Sequence, residues 1–166
     1  MSALRYLIFV SIALGFACQP ASQTTVDTST PEPAPDFQLL LGEEFQNAQA
    51  YQPTETITMD LTGDGQPEKI VLQPVPNRLN LVIADGVKQT ATTILAGPGK
   101  GNYDWVDYWG IVQDSIAEKA TVVDGAVVGS TMVKLPHPAI VFRKLEAAGG
   151  MIAYYDSAYH WIPQAK

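Results

Sequence analysis

The chain has 166 residues, 46% of them hydrophobic and 16% charged, enough for one core of ordinary size and short for two. Its formal charge is −7, and its ten Lys and Arg gather into no patch. That excludes the clustered cations a phosphate backbone requires, so nucleic acid is not an expected partner.

Residues 1–17 read as a secretory signal peptide. Arg5 precedes an apolar run from Tyr6 to Phe16, which ends at Ala17 and Cys18. The run is too short to span a bilayer as a mature helix and suits the apolar region of an export signal. Its removal takes away only Arg5, leaving nine basic and seventeen acidic residues, a net charge of −8. Cys18 is the single cysteine, so no internal disulfide can form. The stretch ending "LGFAC" resembles the lipobox of bacterial lipoproteins, with Ala17 suited to the place before the cysteine, Phe16 bulkier than usual and Gly15 where Leu is usual. The resemblance implies that Cys18 carries a lipid, becomes the mature N-terminus and holds the protein on a membrane of the cell envelope, in the periplasm or at the cell surface. Gly15 and Ala17 also form the small-x-small pair of ordinary signal-peptidase cleavage, the alternative reading of the same residues.

Residues 18–36 read as a disordered linker. "QPASQTTVDTSTPEPAPD" is rich in Pro, Ser and Thr and nearly devoid of apolar side chains, so it cannot offset the entropy of ordering itself. From residue 37 to 166 the texture is that of a β domain. "FQLLLGEEFQNAQAY" opens it with Phe37, Leu40, Leu41, Phe45 and Ala48 at a partly helical spacing, interrupted by Gly42, and predicts a short helix or irregular segment. Thereafter "TITM", "KIVL" and "LNLVI" are short alternating or β-branched runs bounded by turn residues. Asp85-Gly86 and Asp124-Gly125 lie where tight hairpin turns are expected, followed by Gly149-Gly150 and Asp156-Ser157. No alternating strand-helix unit appears. The expectation is an all-β fold, a small antiparallel sheet or sandwich of about eight to ten strands.

Between the first two strands lies "DLTGDGQPE", which offers oxygens from Asp60, Thr62, Asp64, the Gln66 carbonyl and Glu68 at alternate positions. Calcium takes six to eight such ligands, and Gly65 permits the sharp turn a tight loop needs. The helix-loop-helix version is excluded, because Val71 stands where its bidentate Glu belongs. The loop resembles the Asp-x-Asp-x-Asp-Gly-x-x-Asp hairpin of FG-GAP and VCBS repeat proteins: Asp60, Gly63, Asp64, Gly65 and Pro67 match, Glu68 replaces the last Asp, and Thr62 replaces an Asp or Asn. That resemblance covers nine residues and implies a calcium ion held between an entering and a leaving strand. A whole propeller does not fit the length, since even four blades need about sixteen strands. The alternative is a metal-free turn fastened by its own aspartates.

"NYDWVDYWG" gathers Tyr103, Trp105, Tyr108 and Trp109 around Asp104 and Asp107. With Trp161, the indoles of Trp105 and Trp109 are a candidate ligand surface on which sugar rings could stack; the same rings are equally suited to fill a small β core. Trp109, next to Gly110, is the ring expected to be exposed, with Trp105 and Trp161 mostly buried. "GPGKGN" lacks the spacing of a phosphate loop, and His137 and His160 lack metal-ligand spacing. No residues assemble into a catalytic site. The expectation is a non-enzymatic exported lipoprotein with a β module for partner binding or a structural role, its partner an unidentified protein or glycan. A carbohydrate-binding module at the cell surface is the alternative.

Overall fold

A computed structural model describes residues 33–88, 90–147 and 149–164. The signal segment 1–17, the lipidation site Cys18 and all but the end of the linker 18–36 lie outside the described residues. The compact unit runs over residues 35–166.

The fold is all-β, with eleven strands among the described residues. A single helix, α1 (Phe37–Glu44), precedes them. It starts at Asp36 because that carboxylate accepts the amides of Gln38 and Leu39, two donors the first helical turn cannot satisfy itself. The strands are β1 (Ala48–Tyr51), β2 (Ile57–Met59), β3 (Glu68–Val75), β4 (Arg78–Ala84), β5 (Ala91–Ile94), β6 (Tyr108–Val112), β7 (Ile116–Val123), β8 (Ala126–Lys134), β9 (Ala139–Arg143), β10 (Gly150–Tyr155) and β11 (Ala158–Pro163). All pairings are antiparallel and form three sheets, ordered β1-β6-β9-β10-β11, β2-β3-β4-β5 and β7-β8.

Alternation along the strands decides what each face of the five-stranded sheet covers. Trp109, Ile111, Ile140, Phe142 and Ile152 join Ile57, Ile70, Leu72, Leu81, Ile83 and Ile94 of the four-stranded sheet in one core. The intervening residues Tyr108, Val112, Val141, Met151, Ala153 and Ile162 face the other way, against Leu41 of α1 and Ala117 and Leu135 at the base of the β7–β8 hairpin. The sheet is therefore covered on both sides, and β6 and β9 are buried along their whole length. The hairpin is different. Beyond its base, β8 is exposed from Ala126 to Met132.

Turn chemistry follows the sequence at two of the four expected places. Asp124-Gly125 and Asp156-Ser157 both take positive φ at two successive residues, as a two-residue hairpin turn requires. The Asp85 turn is wider. Its carboxylate accepts the amides of Val87 and Lys88, its own amide donates to the Thr90 carbonyl, and Gly86 does not use positive φ. Gly149-Gly150 is not a tight turn either: Gly150 already belongs to β10, where a Cβ would run into the Trp161 indole.

Candidate functional site

The chain from Asp60 to Pro67 joins β2 to β3 and wraps around its own carboxylates. Asp60 accepts the Gly63 amide at 2.7 Å on Oδ1 and the Gly65 amide at 2.9 Å on Oδ2. Asp64 Oδ1 accepts the Gln66 amide at 2.8 Å. Glu68, the first residue of β3 and only 4% exposed, accepts the Leu61 amide at 2.7 Å and the Thr62 hydroxyl at 2.9 Å. Gly63 and Gly65 both adopt positive φ, which an L side chain adopts only at a cost. The result brings one oxygen each of Asp60, Asp64 and Glu68 within 4.8 Å of one another.

Three like charges so close repel by about 1 kcal/mol per pair at the dielectric of water and several times that near a protein surface. The backbone amides offset part of this. A divalent cation would offset more. Every donor is a carboxylate or hydroxyl oxygen, a hard set that suits calcium or magnesium and not a thiolate-seeking metal. Both oxygens of Asp60 and of Glu68 and Oδ1 of Asp64 already accept one hydrogen bond within the loop, the Thr62 hydroxyl donates one, and each keeps a lone pair for a cation. Of the five expected ligands, Asp60, Asp64 and Glu68 converge, the Thr62 hydroxyl is turned onto Glu68, and Gln66 enters through its amide to Asp64.

Three other segments meet this end of the sandwich. The His137 imidazole, from the connection between β8 and β9, lies so close over Gly63 that a Cβ there would strike the ring. A Cβ on Gly86, in the β4–β5 connection, would come 2.8 Å from the Pro67 carbonyl oxygen. Lys88 pairs with Asp85 at 3.2 Å, and its amine is held above the usual lysine value first by that bond and charge, with Asp64 adding to it. Asp85 is held below the usual carboxylate range by the amides of Lys88 and Val87. Tyr159 of β11 is pushed well above the ordinary tyrosine value by burial first and then by Glu68 and its acidic neighbours. His137 carries no sequence signal for this role, because a partner distant along the chain leaves none beside a loop glycine.

The expected aromatic surface needs correction at one member. Trp109 is fully buried, its indole N–H donating to the Gln52 carbonyl at 2.8 Å. Gly110, which suggested a strand end, is mid-strand: a Cβ there would meet the Gln49 carbonyl and the Leu41 side chain, so the glycine permits close packing of β1 and α1. Trp105 and Trp161 are half-buried and cross edge to face, with interplanar angle 88° and centroids 6.4 Å apart. Crossed rings offer no flat platform for a sugar. Tyr103 is buried under Phe142, and its hydroxyl donates to the Ala96 carbonyl.

Asp104 and Asp107 serve the backbone. Asp104 accepts from the Leu79 amide and the Asn102 side chain, and Asp107 from the Leu145 amide. A cleft of about 580 Å³ lies between the hairpin and α1, lined among others by Glu44, Asp114, Glu118, Met132, Arg143 and Gln164. Its floor, Arg143, is nearly buried and committed to Glu44 at 2.6 Å, Gln164 at 2.6 Å and the Phe142 carbonyl. Asp114 accepts from Gln46 and Asn47, and Glu118 from the Ser130 hydroxyl. These polar groups fasten α1, the hairpin and β9 to one another.

Compared with known proteins, the chain matches no family model, no curated protein and no solved structure. Among the described residues, no helix is long and apolar enough to cross a membrane.

Proposed function

We propose that the chain is an exported lipoprotein of the cell envelope, anchored by a lipid on Cys18, whose β module acts by binding a partner and not by catalysis. The observation that carries the binding role is the β7–β8 hairpin, which leaves Ile116, Val122, Val123, Val127, Val128 and Met132 exposed together. Singly exposed apolar residues are ordinary, but six spread over the two faces of one two-stranded projection are a concentration that supports an interaction site. The segment ending at Ala17 and Cys18, with the Pro- and Thr-rich stretch behind it, supports the anchor.

The loop from Asp60 to Glu68 has a stabilising role in this reading. A calcium ion between Asp60, Asp64 and Glu68 would neutralise their repulsion and fix the start of β3, the strand that joins β2 to the rest of the four-stranded sheet.

Detergent phase partition of the full chain tests the anchor. The wild type should enter the detergent phase with a lipid on Cys18 in the N-terminal peptide, and Cys18→Ser should stay in the aqueous phase. A wild type with a free Cys18 thiol, or one that retains residues 1–17, sinks the reading.

A further inference from the structure

The β7–β8 hairpin and the cleft at its base share one surface. Alternation puts Ile116, Glu118 and Val122 of β7 on one face, and the register adds Lys134, Met132 and Val127 of β8 to it. Ile116, Val122, Val127 and Met132 are apolar and exposed. Ile116, Glu118 and Met132 also line the cleft, so its wall continues outward onto Val122, four residues or about 13 Å beyond Glu118.

The cleft is acidic. Its described lining sets Glu44, Asp114 and Glu118 against one guanidinium, a formal excess of two negative charges. That guanidinium, Arg143, is 5% exposed and committed to Glu44, Gln164 and the Phe142 carbonyl. Asp114 accepts only from the neutral Gln46 and Asn47, and Glu118 only from the Ser130 hydroxyl. Neither forms an ion pair among the described residues, nor does Lys134, which stands beside Ile116. Three further features narrow what covers this surface. A strand added along β8 would meet a bulge, since Thr121 pairs with Gly129 and Val122 with Val127, leaving Val128 unpaired in mid-strand. Immersion of the hairpin in a bilayer would carry Asp124, at its tip, into the apolar layer. A second copy would bring another chain of formal charge −7 against the first.

We propose that this surface docks a segment of a partner protein in which a lysine or arginine follows apolar residues, the cation entering the cleft and the apolar side chains lying on Val122 and Val127. The incoming cation supplies the charge that Arg143, held by Glu44, does not offer to Asp114 and Glu118. Its stem is apolar and suits Ile116 and Met132, while its charged head needs the carboxylates. In an extended segment, side chains four residues apart project to the same side at about 13 Å, which is the spacing of Glu118 from Val122 along β7.

The inference rests on the reading of the hairpin as an interaction site and states the chemistry of what it takes; it needs neither lipid nor calcium. The test titrates the wild-type chain in phosphatidylcholine vesicles with acetyl-Leu-Thr-Val-Thr-Lys amide, and with the same peptide ending in Glu or in norleucine. Binding is read by saturation-transfer NMR against empty vesicles. The lysine peptide should bind with a dissociation constant on the order of 10⁻³ M or below, and the glutamate peptide at least about tenfold more weakly. Glu118→Gln, at an exposed residue and with an acceptor kept for Ser130, should leave the melting midpoint in place. It should weaken the lysine peptide about threefold and leave the norleucine peptide unmoved. Val127→Ser should weaken every peptide that binds. No preference for lysine, or a lysine peptide indifferent to Glu118→Gln, overturns the proposal and leaves the hairpin an interaction site for other partners. If no peptide binds, or Val127→Ser moves none of them, the proposal and the hairpin's role fall together. Failure of the detergent partition of the wild type would instead strike the anchor alone.

Discussion

The carboxylate of Glu68 reaches back to the amide of Leu61 at 2.7 Å, so the acidic loop is closed from inside the fold by the first residue of the strand it leads into. Leu61 is itself buried, and no solvent is at hand to replace that acceptor. Glu68→Ala should therefore cost about 1–3 kcal/mol, the usual penalty for a buried donor left unpaired. Asp64→Ala, at an exposed residue whose carboxylate accepts from the Gln66 amide alone, should cost under about 1 kcal/mol when no divalent cation is present. Urea melts in EDTA compare the two. Equal losses would mean that the Glu68 contact contributes nothing particular.

Gly63 and Gly65 share positive φ and differ in surroundings. A Cβ at Gly65 would meet open space, whereas one at Gly63 would meet the His137 ring. Gly65→Ala should cost about 1–2 kcal/mol for the left-handed backbone alone. Gly63→Ala should cost more, and adding His137→Ala should recover the excess. That non-additivity, read from a double-mutant cycle by thermal melts, reports the contact directly. Strictly additive losses would place the ring elsewhere.

Burial raises the phenols of Tyr103 and Tyr159 well above the ordinary value near 10, with Glu68 adding to the shift at Tyr159. Below about pH 10 both are protonated in the folded and the unfolded chain. Above it the unfolded chain loses protons first, so stability should fall as pH rises toward the folded-state values. Tyr103→Phe should flatten that alkaline decline while lowering stability at neutral pH by about 1 kcal/mol, the worth of the hydrogen bond to the Ala96 carbonyl. Melting midpoints from pH 8 to 11 decide it; an unchanged slope in the variant would contradict the assignment.

The fold was legible where the physics is local. Asp124-Gly125 and Asp156-Ser157 specify their turns because a two-residue hairpin needs successive positive φ and these residues tolerate it. The apolar spacing from Phe37 left a short helix and an irregular segment both open; the helix fills Phe37–Glu44, and the same stretch also holds β1, which pairs with a strand about sixty residues on. What was not legible was set by distant contacts. Gly110 and Gly150 read as punctuation, yet each is small because a carbonyl, a leucine or an indole from another element occupies its Cβ position. The valines of β7 and β8 look like those of β3, and only their distance from the sandwich separates an exposed hairpin from a core strand. For the loop, the carboxylates Asp60, Asp64 and Glu68 were readable from alternate spacing. The clamp by His137 was not.

Calcium should stabilise the domain through that loop, and weakly. Extracellular sites with few carboxylates bind near 10⁻⁴ to 10⁻³ M, and Thr62 in place of an acidic ligand argues against anything tighter. With free calcium about tenfold above the dissociation constant, linkage gives about 1.4 kcal/mol. The melting midpoint should rise by a few degrees between EDTA and millimolar calcium. Asp64→Ala should abolish the rise, since it removes one of three converging carboxylates and leaves the core bond of Glu68 to Leu61 in place. Magnesium should not substitute, because it holds its water shell and demands tighter octahedral geometry than a loop with all three carboxylates already committed to backbone amides can offer. Tyr159 gives a second readout of the same event. Neutralising Glu68 and Asp64 removes part of what holds its phenol up, so calcium should lower the pH at which Tyr159 ionises, followed by absorbance against a Tyr159→Phe control. An unchanged midpoint and an unchanged tyrosine titration at about 5 mM calcium, well above the expected dissociation constant, would leave the loop as a turn fastened by its own aspartates.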